Sequence, residues 1–211
     1  MKIHRFIFSP ISVNTYIVAA DNGECAVIDC GCYDEAEFLR LTVFLEEKSL
    51  TPVLLLNTHC HLDHIFGNGM FLKKYGLKTK ACIDEDENRK NAPLHARLYG
   101  MEMDAPPEIG EHIGDGGKVV LADITFEAVY VPGHTTGSIA WYCRDEGCIF
   151  TGDALFAGGI GRSDLPGGNH DQLIRNIKTR LLTLPPETVI YPGHGESSTI
   201  GSEKINNPWL S

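Results

Sequence analysis

A chain of 211 residues, 43% hydrophobic and 22% charged, can bury one sizeable core but is short for two ordinary domains and a linker, so residues 1–211 are expected to form one domain. Its formal net charge of −10, with 18 lysines and arginines scattered along the chain, offers no cationic stripe for a nucleic acid. No run of about eighteen apolar residues could cross a membrane as a helix, and the N-terminus lacks a signal peptide's apolar block, which points to the cytoplasm and to reduced thiols.

Alternating residues from Met1 to Phe8 predict a strand at about 2–8, followed by strands at 12–20 and 24–29. Cys30-Gly31-Cys32 then reads as a strand-end turn with two incidental thiols, or as a redox or metal pair. Phe38, Leu41, Phe44 and Leu45 recur at helical spacing and predict a helix near 33–48. A strand at 52–57 delivers Thr58-His59-Cys60-His61-Leu62-Asp63-His64. In an extended chain side chains two apart share a side, so His59, His61 and Asp63 should converge while Cys60 points away. His64 breaks the alternation where a helix at about 64–75 begins. Crowded imidazoles and a carboxylate are poorly satisfied without a cation, and this donor set suits zinc or iron.

Further along, a strand near 78–83, a helical stretch near 85–99, strands at 117–131, 137–143 and 147–151, a helix near 169–183 and a strand near 187–191 are expected. Three of these strands run into glycine-flanked candidate ligands: Pro132-Gly133-His134, Thr151-Gly152-Asp153 and Pro192-Gly193-His194. Glycine there lets the backbone turn tightly and approach a bound ion. Residues 99–116 are the least periodic, a surface loop or a lid. Ser197 to Lys204 looks like a capped last helix, with Lys204 on the surface or reaching the site. His4, His95, His112 and His170 match no motif and read as ordinary loop or surface residues. The alternation of helices and strands gives an α/β class.

Thr58 to His64, Pro132-Gly133-His134-Thr135-Thr136-Gly137-Ser138, Thr151-Gly152-Asp153 and Pro192-Gly193-His194-Gly195 together resemble the metallo-β-lactamase fold superfamily, and within it the short glyoxalase II-like hydrolases. The resemblance implies a four-layer αβ/βα sandwich of two mixed sheets with helices on the outer faces. It implies two metal ions, zinc with iron or manganese as alternatives: His59, His61 and His134 would hold one, Asp63, His64 and His194 the other, and Asp153 would bridge them. Two such ions lower the pKa of a shared water, and Asp63 would act as the catalytic group that orients the resulting hydroxide. A thioester such as S-lactoylglutathione suits this chemistry, because a thiolate departs without a general acid.

The Gly-x-Gly-Arg stretch sits where two-domain relatives carry a glutathione-contacting Gly-x-Gly-Lys, which makes Arg162 a candidate carboxylate clamp for a small-molecule thioester. Its alternative role is a loop-fixing pair with Asp164. The longer enzymes append a C-terminal helical domain, whereas this chain ends soon after His194, so recognition of the thiol carrier is expected to differ. A mononuclear iron persulfide dioxygenase of the same fold shares the histidine motifs, and a non-catalytic metal-binding protein is a third reading. β-Lactam hydrolysis is disfavoured by the Asp63-His64 pair and the missing export signal.

Overall fold

The computed structural model describes residues 1–211. β1 (Lys2–Phe8), β2 (Val13–Ala19) and β3 (Glu24–Ile28) form an antiparallel meander. α1 (Glu35–Glu47) follows, its N-terminus capped by Asp34, whose carboxylate accepts the Glu37 amide at 2.8 Å. β4 (Thr51–Leu56) pairs parallel with β3, and after α2 (Leu62–Ile65) and α3 (Asn68–Tyr75) the parallel series continues with β5 (Lys80–Ala81). A short 3₁₀ turn, Ile83–Glu85, leads into α4 (Asp86–Leu98), and β6 (Glu111–His112) completes a six-stranded sheet in chain order.

The second half builds a second mixed sheet. β7 (Lys118–Leu121), β8 (Ile124–Tyr130), β9 (Ile139–Cys143) and β10 (Cys148–Gly152) are antiparallel neighbours. A small hairpin, β11 (Leu155–Phe156) and β12 (Gly159–Ile160), and α5 (His170–Asn176), which runs on as a wider π turn to Leu181, precede β13 (Val189–Pro192). β13 joins β10 in parallel, β14 (Ser198–Thr199) pairs antiparallel with it, and α6 (Ile200–Asn206) ends the series.

Strand periodicity explains the layers. In β2, Tyr16 and Val18 face inward to meet Phe126, Trp141 and Phe150 of the other sheet, while Ile17 and Ala19 face outward onto Leu41, Leu45 and Phe71 of α1 and α3. In β9, Trp141 and Cys143 face inward, and Ala140 and Tyr142 pack against Leu173, Ile177 and Ile200. Both faces of each sheet are therefore apolar, and the expected four layers are observed. These strands read as continuous apolar runs because nothing on them meets water.

The structure corrects several expected boundaries. The helix expected over 64–75 is two helices, α2 and α3, broken at Gly67. A Cβ at Gly67 would lie 2.3 Å from the Cys30 sulfur and 2.9 Å from its carbonyl oxygen, so the chain can pass there only without a side chain. The strand expected over 117–131 is a hairpin, its turn placing Ala122 at φ +50°. β5 is far shorter than 78–83, and β6, β11, β12 and β14 lie where the sequence predicts no strand. Residues 99–116 are tied to the first sheet and its helices over most of their length. Met101 and Met103 pack beside α2 and α4, and β6 pairs with β5. Lys204 donates to the Leu182 carbonyl rather than reaching a site.

Substituting Gly67→Ala should cost about 1–3 kcal/mol of stability, because the added methyl overpacks against Cys30. Urea denaturation checks this, and a midpoint equal to that of the parent protein would contradict it.

Candidate metal centre

All the candidate ligands leave strands at one edge of the sandwich. His59 and His61 follow β4, His134 follows β8, Asp153 follows β10 and His194 follows β13. His61 is still extended, but the helix starts at Leu62 rather than at His64. Asp63 therefore sits in the first turn of α2 and turns away from His59 and His61 toward His194, whose Nε2 is 3.1 Å from its Oδ2.

Two groups of donors result. His59 Nε2, His61 Nδ1 and His134 Nε2 lie 2.9–3.2 Å from one another. Asp63, His64 and His194 form a second cluster. Asp153 stands between: its Oδ1 is 3.3 Å from His64 Nε2, and its Oδ2 is 3.6 Å from both His134 Nε2 and His194 Nε2. One carboxylate thus faces both groups, which fits a bridge. Gly193 makes this approach feasible, since a Cβ there would fall 2.1 Å from Asp153 Oδ1.

The ring nitrogens that point away from the centre are anchored. Thr58 gives its hydroxyl proton to Asp29, leaving its oxygen to accept from His59 Nδ1 at 3.1 Å. His134 Nδ1 donates to the Arg162 carbonyl at 2.7 Å, His64 Nδ1 to Asp29 Oδ2 at 2.9 Å, and His194 Nδ1 to the Ser12 carbonyl at 3.2 Å. The His59 and His134 rings are so fixed in the tautomer that turns the lone pair of Nε2 inward, and His64 and His194 are held with Nε2 toward the carboxylates. The His59 and His134 lone pairs then face each other at 3.2 Å with no proton between them. His64 Nε2 and Asp153 Oδ1 are likewise buried without a hydrogen bond. Unpaired acceptors and orphaned buried atoms aimed at common points are costly alone and suited to cations. Four ligands around zinc at about 2.0–2.1 Å leave nitrogens separated by roughly 3.3 Å, close to the spacing observed.

The electrostatics divide in the same way. Burial, reinforced by the neighbouring imidazoles, pushes His59 well below the ordinary histidine value and His61 down to about 3, so both of these rings are neutral. Burial also disfavours the charged form of His64, but Asp153, Asp63 and Asp29 outweigh it and hold the ring protonated in the metal-free site. Asp153 is kept ionised against burial by His64, His194 and His134. Metal entry on this side must displace a proton.

Two buried carboxylates brace the loops. Asp29, held at φ +53°, accepts from the Thr58 amide at 2.8 Å, the Thr58 hydroxyl at 2.6 Å, Asn57 Nδ2 at 3.2 Å and His64 Nδ1. Glu85 joins the other halves: it accepts from the Cys60 amide at 2.7 Å and Asn88 on one oxygen, and from the Thr135 hydroxyl at 2.5 Å and the Gly137 amide at 2.9 Å on the other. Sequence reasoning missed both. Asp29 follows an apolar strand, as Asp153 does, with a glycine two residues on, and could have been read from that, whereas Glu85 lies among four consecutive acids with nothing to distinguish it.

A cavity of about 560 Å³ opens onto His61, Asp63, His134, Asp153 and His194. His95, expected to be an ordinary surface residue, lines it from α4 with Leu98 and Tyr99. Arg162 lines it too, and both arms of its guanidinium bind Asp164 at 2.8 Å. Cys60 points away, buried among Leu62, Ile65 and Ala92 as alternation predicted. Cys30 and Cys32 are buried thiols with sulfurs 3.9 Å apart, not ligands of this centre.

Glu85→Gln would place amide protons against N–H donors, costing roughly 2–3 kcal/mol of stability and weakening zinc at the three-histidine group by tenfold or more. Cys60→Ser should leave metal content unchanged. Chelator competition and metal analysis of the two variants check both, and wild-type zinc affinity in Glu85→Gln would refute the bracing role.

A family model described as the metallo-beta-lactamase superfamily matches residues 9–194. The chain is 37% identical to hydroxyacylglutathione hydrolase GloC of Haemophilus influenzae, over all of this chain and 99% of that one. Among solved structures, the BLEG-1 B3 metallo-beta-lactamase superposes with a TM-score of 0.92 at 30% identity, covering all of both chains. TTHA1623, solved in a di-iron-bound form, gives 0.88 at 33% identity over 98% of this chain and all of that one. ETHE1 from Myxococcus xanthus gives 0.81 at 27% identity, covering 99% of this chain and 84% of that one. The His- and Asp-bearing strand ends, the two mixed sheets and these full-length matches agree, and the chain belongs to the metallo-beta-lactamase superfamily.

Proposed function

We propose that this protein is a dinuclear metal-dependent hydrolase of thioesters. The observation that carries the reading is Asp153, whose two oxygens face the two donor groups at once. A mononuclear iron site, as in the dioxygenase reading, would leave Asp63, His64 and His194 without a task. Their convergence favours two ions, and the di-iron-bound form of TTHA1623 is consistent with this. The kinship with the hydroxyacylglutathione hydrolase of Haemophilus influenzae favours a thioester over other acyl compounds.

His59, His61 and His134 would hold one ion, Asp63, His64 and His194 the other, and Asp153 both. Bound there, two divalent ions supply Lewis acidity and bring the pKa of water toward neutrality. The protein's own groups do the rest. Asp63 borders the cavity, and its carboxyl is held below the ordinary range: burial opposes ionisation, but His64 and His194 overcome it. It remains an acceptor for a proton of the attacking water. The Arg162 carbonyl fixes the His134 ring, and the Arg162 side chain at the cavity wall can exchange Asp164 for a substrate carboxylate. A thiolate leaving group requires no acid.

Zinc-loaded protein should cleave S-lactoylglutathione or a related thioester without oxygen, releasing one thiol per acid, and Asp153→Ala should lose metal and turnover together. Oxygen uptake with a persulfide by the iron-loaded protein, alongside no thioester cleavage with any metal, would instead establish the dioxygenase. Arg162→Ala should raise KM for a glutathione thioester about tenfold and leave an uncharged thioester little affected. An equal loss on both substrates would assign Arg162 to fixing its loop.

A further inference from the structure

The thioester reading leaves the acyl group open, and the wall of the cavity bears on it. Away from the metal cluster that wall is built largely from Ile11, Leu62, Leu98, Leu165 and Pro166. Leu98 is 77% exposed and Tyr99 53% exposed, so the C-terminal end of α4 presents large apolar surface to water beside the cavity. The polar groups on the wall are few. His95 comes from α4 and Tyr99 directly follows it, and Arg162, the wall's one permanent cation, is turned onto Asp164. A small hydroxyacyl group would leave this surface wet, whereas a hydrocarbon or aryl chain would cover it.

We infer that the cavity takes an apolar acyl chain, so that the preferred substrates are fatty or aromatic acyl thioesters, with Leu98 as a specificity-determining residue. The inference rests on the thioester reading of the metal site. Hydrolysis adds water across the C–S bond, giving the free acid and the thiol, and needs no further reactant. The acyl chain enters the apolar pocket, and the polar carrier stays toward solvent. Each methylene buried there is worth roughly fourfold in binding.

The test uses zinc-loaded protein and one carrier, glutathione, bearing lactoyl, acetyl, hexanoyl or benzoyl groups. The hexanoyl and benzoyl thioesters should exceed lactoyl in kcat/KM by at least about tenfold. Leu98→Asn, at an exposed position that folding does not depend on, should cut the hexanoyl to acetyl ratio severalfold. In parallel, calorimetry with two thioethers that cannot be hydrolysed should find S-hexylglutathione bound at least about tenfold more tightly than S-methylglutathione. A lactoyl preference, or equal binding of the two thioethers, overturns the inference. Failure to cleave any of the four with the difference in thioether binding intact would overturn the thioester reading and leave the apolar subsite standing.

Discussion

Imidazole lone pairs will not face one another at 3.2 Å, as those of His59 and His134 do, unless something behind them prevents retreat, and here that support comes from two buried carboxylates. Asp29 and Glu85 each accept four hydrogen bonds, most of them from the backbone or side chains of the loops that carry the candidate ligands. A buried carboxylate is tolerable only when so fully satisfied, and for the same reason it cannot let go of one loop without exposing an unmet charge. Asp29 fixes Thr58 and His64 from the first sheet. Glu85 ties Cys60, between two of the histidines, to Thr135 and Gly137 beyond the third. The candidate centre is therefore preorganised by the protein and does not wait for an ion to assemble it.

Behind these braces lies the core between the sheets. Trp141, fully buried among Phe126, Phe150 and Tyr16, donates its indole N–H to the Asn57 carbonyl at 3.2 Å, so the core grips the loop at the point where β4 ends. Tyr16 reaches from the same core to the Pro192 carbonyl, next to the turn that carries His194. Packing and chemistry are coupled through these two hydroxyl and indole protons, and a change in the inner layer is transmitted to the site edge.

The two donor groups are not equivalent. The first group is built from imidazoles alone, with His59 and His61 held neutral, while the second adds the Asp63 carboxylate and shares Asp153, a negative charge only partly offset in the absence of metal by a proton on His64. A divalent ion entering the second group exchanges for that proton, while one entering the first relieves only facing lone pairs. The fold places this gradient of hardness beside an apolar cavity wall, so the charged chemistry sits at the end of a largely hydrocarbon recess.

The sequence by itself determined the candidate ligands and their carriers. His59, His61, His134, Asp153 and His194 were legible because each follows an apolar run, and strand periodicity correctly sent Cys60 away from its neighbours. Local rules suffice for such features, since the period of a strand and the freedom of glycine act over a few residues. Contacts between distant segments are not encoded that way. That Gly67 must be bare because Cys30 lies against it, that Glu85 rather than a neighbouring acid bridges two loops, and that His95 borders the cavity were decided only when the sheets packed. The physical reason is that burial and hydrogen-bond satisfaction depend on which segments meet in space, and that meeting is a property of the whole fold.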